Sequence, residues 1–259
     1  MVVRKVITDI TMDTIMDNKI DIHTHVLPGV DDGSKTIQDS LETIEYLKNI
    51  GITDIVVTSH YIRNTSYNVN VKEREKILKQ LKKKVEDVNL YIGNEVFLCD
   101  EVVDLYNKKE ICTLNNSKYM LVELPLSTYY NNYPNAICSL NELGIVPIIA
   151  HPERYGFIKK DKKRVYELLE YDILLQCNIE SLIGKYGKEA KKTAKWLLKK
   201  NLVSLVATDT HRVGDLKKIN KAYKKLEKIV GKKKYEELVY LNPKRILENQ
   251  EIESNLNFK

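Results

Sequence analysis

A chain of 259 residues with 43% hydrophobic and 30% charged side chains reads as one globular domain, of the length usual for a single α/β barrel. Its net charge of +6 is too modest to imply a nucleic-acid partner, and no apolar run approaches the ~20 residues that would span a bilayer. The four cysteines, Cys99, Cys112, Cys138 and Cys177, form no C-x-x-C pair, and no signal-peptide pattern opens the chain, so a reduced cytoplasmic protein is expected.

Residues 1–18 carry Asp9, Asp13 and Asp17 among apolar residues and are set apart as an extension without assigned role. Met16 is an alternative start, and residues 19–259 form the single expected domain. From Lys19 the chain alternates β-rich runs with helical patterns. Lys19–His23 is the first strand. Thr36-Ile37-Gln38-Asp39 resembles a capping box, and Ile37, Leu41, Ile44 and Leu47 then give one apolar helical face. Asp54–Ser59 is the second strand, followed by a helix with Leu78, Leu81, Val85 and Val88 on one side. Asn89–Val96 is the third, with a short helix near Glu101–Lys108, and Tyr119–Leu124 is the fourth, with a helix around Asn135–Leu143. Ile145–Ala150 is the fifth strand, Ile173–Asn178 the sixth with the helix Tyr186–Leu198, and Val203–Thr208 the seventh with Ile219, Ala222, Leu226 and Ile229 turned inward. A helical pattern at Leu238 and Val239 and a last helix opened by Asn242-Pro243 are expected on the exterior. Strands two, five and seven are near-continuous apolar runs, as parallel strands covered on both faces require. Seven β-α units without a Gly-rich dinucleotide fingerprint favour a barrel over an open sheet. The lysine clusters 82–84, 159–164 and 232–234 read as solvated surface.

All five histidines fall at or just past a predicted strand end. His23 and His25, at i and i+2 of an extended segment, point the same way, as two imidazole ligands of one metal must. Alone, that pair fits a partly exposed strand end equally well. His60 closes strand two, His151 strand five and His211 strand seven, while Glu95, Glu123 and Asp209 hold equivalent places on strands three, four and seven. In a β/α barrel these ends converge on the face where catalytic groups collect. Imidazoles and carboxylates without thiolate suit Mn, Fe or Zn. Their number exceeds the needs of one tetrahedral ion, implying two or three ions that activate a water and hold a phosphate oxygen.

Four of these blocks, the H-x-H, Thr58-Ser59-His60, His151-Pro152-Glu153-Arg154 and Asp209-Thr210-His211, resemble those of the PHP (polymerase and histidinol phosphatase) superfamily. More narrowly, Asp31-Asp32-Gly33, Gly93-Asn94-Glu95, Val122-Glu123-Leu124-Pro125, the segment Leu175 to Leu182 and Asp209-Thr210-His211-Arg212 are similar to the manganese-dependent tyrosine phosphatases of Gram-positive capsule and exopolysaccharide loci, in the same order from Ile20 to Asn249. The resemblance implies a distorted (β/α)7, TIM-like barrel of the PHP fold. It implies two or three Mn ions, with Fe or Zn as alternatives, held by His23, His25, Asp32, His60, Glu95, Glu123, His151, Asp209 and His211. It gives Arg154 to the substrate phosphate, with Arg212 assisting, and makes Arg154, Asp209 and His211 the catalytic group. The implied reaction is hydrolysis of phosphotyrosine by a metal-bridging hydroxide. The implied partner is a tyrosine-phosphorylated protein, the tail of a cognate bacterial tyrosine kinase, with no nucleic acid and no membrane insertion. The alternatives are a histidinol-phosphate phosphatase or other PHP phosphoesterase, and a nucleic-acid-associated PHP accessory domain. One departure is Tyr61, where many relatives carry histidine or a basic residue after the strand-two histidine.

Other residues read more plainly. Asp31 forms the turn beside the ligand Asp32, Glu101 and Glu110 are solvated, and Glu153 caps its turn. Glu180 and Ser181 are expected to support the site from behind. Tyr129, Tyr130 and Tyr133 either wall an aromatic pocket or pack in the core, where Cys177 also belongs. No cysteine has an arginine six residues on, so the cysteine-nucleophile phosphatase arrangement is absent.

Overall fold

The computed structural model describes residues 18–128 and 131–252. The expectations for residues 1–17, Tyr129 and Tyr130 therefore lie outside the described residues. The described chain makes nine parallel strand segments: β1 (Lys19–Thr24), β2 (Ile52–Val57), β3 (His60–Tyr61), β4 (Asn89–Ile92), β5 (Glu95–Phe97), β6 (Tyr119–Glu123), β7 (Val146–Ala150), β8 (Leu174–Asn178) and β9 (Leu205–Ala207). They hydrogen-bond in the orders β1-β2-β4 and β3-β5-β6-β7-β8-β9.

Two-residue kinks, Thr58-Ser59 and Gly93-Asn94, divide the predicted second and third strands, so the nine segments are seven barrel strands. Hydrogen bonds bridge the kinks, with Thr58 N donating to Thr24 O (2.8 Å) and Glu95 N to Thr58 O (3.1 Å). Gly93 is required where the third strand bends, because a Cβ there would stand 2.8 Å from both Leu114 and Val56. The ring closes between the first and last strands. Asp209 N donates to His23 O and His25 N to Thr210 O, each at 2.9 Å, with a parallel bridge from Thr24 to Thr210. The result is a seven-stranded distorted barrel.

Helices surround it where sequence periodicity places them. Ile37–Asn49 opens on the expected capping box, Asp39 N donating to the Thr36 hydroxyl while the Asp39 carboxylate accepts from Thr36 N. The next helix, Val71–Lys82, buries Leu78 and Leu81 but stops before Val85 and Val88, which pack from an irregular turn where Asp87 takes a left-handed φ of 60°. Tyr133 opens the helix Tyr133–Glu142 and is buried edge-on to Tyr171, 6.4 Å between centroids, so it is a core residue and not a pocket wall.

The C-terminal segment departs from expectation. Ile246 and Ile252 do not cover the barrel's outside. They join Ile20, Ile22, Val56, Leu121, Ile148, Leu174 and Leu205 in the apolar cluster inside the barrel, closing its lower end. Asn242 donates to Ser204 O (2.8 Å) and Tyr119 Oη to Gln250 O (2.8 Å), pinning the plug. Truncating fully buried Ile246 to alanine should cost about 2–5 kcal/mol, read as a lower urea midpoint. Metal content should be unchanged, since the histidines lie at the opposite end of the strands.

Candidate metal centre

Ile20 and Ile22 face the barrel interior, and strict alternation would turn His23 away from it. A register shift between Asp21 and Thr24 breaks that alternation, as one extra residue in a strand does. Asp21 holds the irregularity, accepting from Thr208 Oγ1 (2.6 Å), Thr208 N (3.1 Å) and His23 N (3.3 Å). His23 and His25 thus both project into the barrel mouth, their Nε2 atoms 3.2 Å apart.

Two carboxylates meet them there. Glu95 Oε2 lies 3.2 Å from His23 Nε2 and 3.3 Å from His25 Nε2, and Asp209 Oδ1 lies 3.4 and 3.3 Å from the same atoms. Donors set about 2.1 Å from one tetrahedral ion stand about 3.4 Å from each other, so this quartet has the spacing of a metal site. Two further groups adjoin it: His25, Asp32, His60 and His211, and His60, Glu95 and Glu123. Each pair of groups shares one residue, namely His25, His60 or Glu95. His151 lies beside the third group, its Nε2 2.9 Å from Glu95 Oε1 and 3.6 Å from Glu123 Oε1. All nine expected ligand residues are therefore brought together.

The ligand set is oriented from behind. His23 Nδ1 faces Gln176 Oε1 (2.9 Å) and His25 Nδ1 faces Asp31 Oδ2 (2.8 Å). An Nδ1–H donated to each oxygen leaves the Nε2 lone pair for a cation. Asp31 also accepts from Gly33 N (2.9 Å) and His60 N (2.9 Å), so it organises the whole loop and is more than a turn former. Gly33 is obligatory, since a Cβ there would stand 2.0 Å from His25 O. Asp209 Oδ2 accepts from Asn178 Nδ2 (2.6 Å) and Arg154 Nη1 (2.8 Å), turning Oδ1 to the histidines. His151 and Asp209 take left-handed φ values of 35° and 53°, costly for residues with a side chain and characteristic of functional sites.

The electrostatics call for a cation. Judged by the protein groups alone, burial opposes a charge on His23, yet Glu95 and Asp209 push its pKa to about 9. Burial and then the neighbouring Glu95 push Glu123 up to about 8. Burial lowers His151 to about 4. Glu95 Oε2, Asp32 Oδ1 and His60 Nδ1 are buried and make no hydrogen bond. Such a crowd of carboxylates and buried, unpartnered ligand atoms is suited to holding divalent cations.

A cleft of about 470 Å³ opens onto these groups, with Arg154 on one side and Ile62, Tyr67, Phe97, Pro125 and Leu126 as walls. Arg154 stacks over the Tyr186 ring, 4.5 Å from its centroid. Arg212 does not face this cleft. It is exposed and lines a separate depression with Gly33, Ser34 and Lys35.

The model of the family described as capsular polysaccharide synthesis, CpsB/CapC, matches residues 19–248. The chain belongs to this CpsB/CapC family. Tyrosine-protein phosphatase CpsB of Streptococcus agalactiae is 32% identical over 243 residues, 90% of this chain and 100% of its own length. Tyrosine-protein phosphatase YwqE of Bacillus subtilis is 34% identical over 198 residues, 75% of this chain and 78% of its own. A crystal structure from work on YwqE and on CpsB of Streptococcus pneumoniae, described as metal-dependent tyrosine phosphatases, superposes with a TM-score of 0.82 at 31% identity, covering 90% of this chain and 96% of that one. A phosphotriesterase from Mycobacterium tuberculosis shares the fold alone, with a TM-score of 0.57 at 11% identity.

In this CpsB/CapC chain four supporting residues have a role that the sequence does not reveal: Asp31 beyond its turn, Gln176, Asn178 and Tyr186. Gln176 and Asn178 carry the same signal as the histidine pair, polar residues at i and i+2 of a buried strand. Glu153 does more than cap its own turn. It is fully buried and accepts from Asn178 N (3.0 Å) and Ser181 Oγ (2.6 Å), tying the end of β7 to that of β8. Glu180 supports no ligand directly. Its carboxylate pairs with Lys185 at 2.6 Å.

Proposed function

We propose that this chain is a metal-dependent protein-tyrosine phosphatase. In this reading it loads manganese on His23, His25, Asp32, His60, Glu95, Glu123, His151, Asp209 and His211, and it acts on a tyrosine-phosphorylated protein such as a cognate bacterial tyrosine kinase. The observation that carries the reading is the convergence of four donors, on His23, His25, Glu95 and Asp209, at 3.2–3.4 Å spacing on the floor of a cleft that Arg154 flanks. Divalent ions bound there supply Lewis-acid polarisation of phosphoryl oxygens and acidify a water.

The chain's own groups do the rest. Gln176 and Asp31 fix the tautomers of His23 and His25. Arg154 spends one donor on Asp209 and has others on its guanidinium fork for a phosphoryl oxygen. Tyr67, which lies parallel to His60 at 6.1 Å, and Phe97 offer faces to the phenyl ring of the ester. A panel of phosphotyrosine peptide, histidinol phosphate and single-stranded DNA, assayed with Mn, tests the reading. Turnover confined to histidinol phosphate, or binding of DNA without phosphatase activity, would overturn it.

Arg154→Ala should lower kcat/KM about 10²–10³-fold, the usual loss for one donor to a developing anion, while Arg154→Lys keeps part of the rate. Because Arg154 also braces Asp209, alanine should weaken Mn affinity as well, and lysine less so. Kinetics and metal titration of both variants check this. Normal turnover by Arg154→Ala would remove the residue from the site.

A further inference from the structure

The positive charge of this chain is not spread over its surface. The helices Gly187–Lys199 and Ile219–Val230 hold nine lysines and two glutamates, a net +7 against +6 for the whole chain, leaving all other residues at −1. Both helices follow residues of the site closely in the chain. The first follows Tyr186, on which Arg154 stacks, and the second follows the turn Val213–Lys218 beyond His211. Lys191 leans back toward the start of its helix, as helical side chains do, its Nζ 4.0 Å from where a Cβ of Gly184 would stand. Lys195 lies one turn further along, and Lys221 and Lys225 repeat the i, i+4 stripe on the second helix.

The two helices pack against each other, so the stripes adjoin. Slight burial, then the ammoniums of Lys191 and Lys195 on the facing helix and of Lys221 on its own, lower the pKa of Lys225. Glu189 pairs with Lys192, and among the described residues none of the four has a carboxylate within 4.0 Å. Like charges held together this way repel, and they become favourable against an anion. Trp196 packs edge-on to Tyr166 and Tyr223 to Tyr235, so these helices offer no free ring for base stacking. The exposed large hydrophobics, Leu126, Leu143 and Leu241, lie on neither helix, so no apolar anchor for a lipid surface adjoins the charge. An acidic polypeptide running out of the cleft meets the lysines without either.

We infer that the seam of Lys191, Lys195, Lys221 and Lys225 binds an acidic segment of the substrate protein next to its phosphotyrosine. The inference rests on the phosphatase reading above. The test compares the Mn-loaded full chain with the double variant Lys191→Glu/Lys225→Glu. Substrates are free phosphotyrosine, a phosphotyrosine peptide with neutral flanks and one with Asp/Glu flanks. An unphosphorylated Asp/Glu peptide is followed separately by fluorescence anisotropy.

The wild type should show a KM about tenfold lower for the acid-flanked peptide, a preference erased by about 0.5 M salt and by the double variant. Turnover of free phosphotyrosine should be unchanged, and Lys191→Arg/Lys225→Arg should keep the preference. Equal KM values for the two peptides, with no difference in anisotropy, would overturn the seam. So would capture of phosphatidylserine vesicles by the wild type alone with the peptides indifferent, which would make the surface lipid-binding. Failure to turn over any phosphotyrosine substrate would instead sink the phosphatase reading, and anisotropy would still decide the seam.

Discussion

Glu95→Gln is expected to strip the centre of metal and to lower phosphatase activity by about 10³-fold or more, equivalent to about 4 kcal/mol of transition-state stabilisation. Glu95 is fully buried, and its Oε2 lies 3.2 and 3.3 Å from the Nε2 atoms of His23 and His25 and 3.0 Å from His60 Nδ1. It also belongs to two of the three donor groups, so its loss weakens both. Glutamine has nearly the same volume, so the barrel stays packed. The change removes a charge and can set an N–H against imidazole lone pairs. Metal analysis beside kinetics decides the matter, with circular dichroism confirming the fold. A Glu95→Gln protein with full metal and normal turnover would show that the ions, if bound, sit elsewhere.

Removal of metal should inactivate the protein and soften it, and the effect should depend on pH with a definite sign. With the protein groups alone, His23 titrates at about 9 and Glu123 at about 8, so at pH 7 both hold protons that a cation must displace. Mn binding should therefore release protons and tighten as pH rises from 7 toward 9, by up to about tenfold per pH unit for each proton displaced. It should weaken on acidification. Titration calorimetry of Mn into chelator-treated protein, in buffers of different ionisation enthalpy, counts the protons. Mn at about 100 times its Kd should add about 2.7 kcal/mol of stability and raise the Tm by about 5–11 °C. Binding without proton release, or chelation without loss of rate, would refute this ligand assignment.

Much of this architecture was legible in the sequence because its signals are local. Apolar runs marked the seven strands, the Thr36–Asp39 capping box opened its helix as read, and five histidines at strand ends required only that those ends share one face. The candidate ligand residues followed from that requirement and from the family resemblance. Helix limits were less legible. Val85 and Val88 fit the apolar period of the preceding helix, yet they lie past its end in an irregular turn.

What only the tertiary structure decided are relations between distant segments. Both Ile246 and a surface residue can sit on a short polar helix, and only the open lower end of the barrel makes Ile246 its plug. Asp31 reads as a turn former until His25 Nδ1 stands 2.8 Å away, and Gln176 as strand filler until His23 arrives across 153 positions. Arg212 adjoins His211 in sequence, but it lines another depression. Arg154, remote in sequence, is bound to Asp209 at 2.8 Å. Side-chain type and period are fixed residue by residue, whereas partners and facing depend on the closed ring of strands, the register shift at β1 and the left-handed turns at His151 and Asp209.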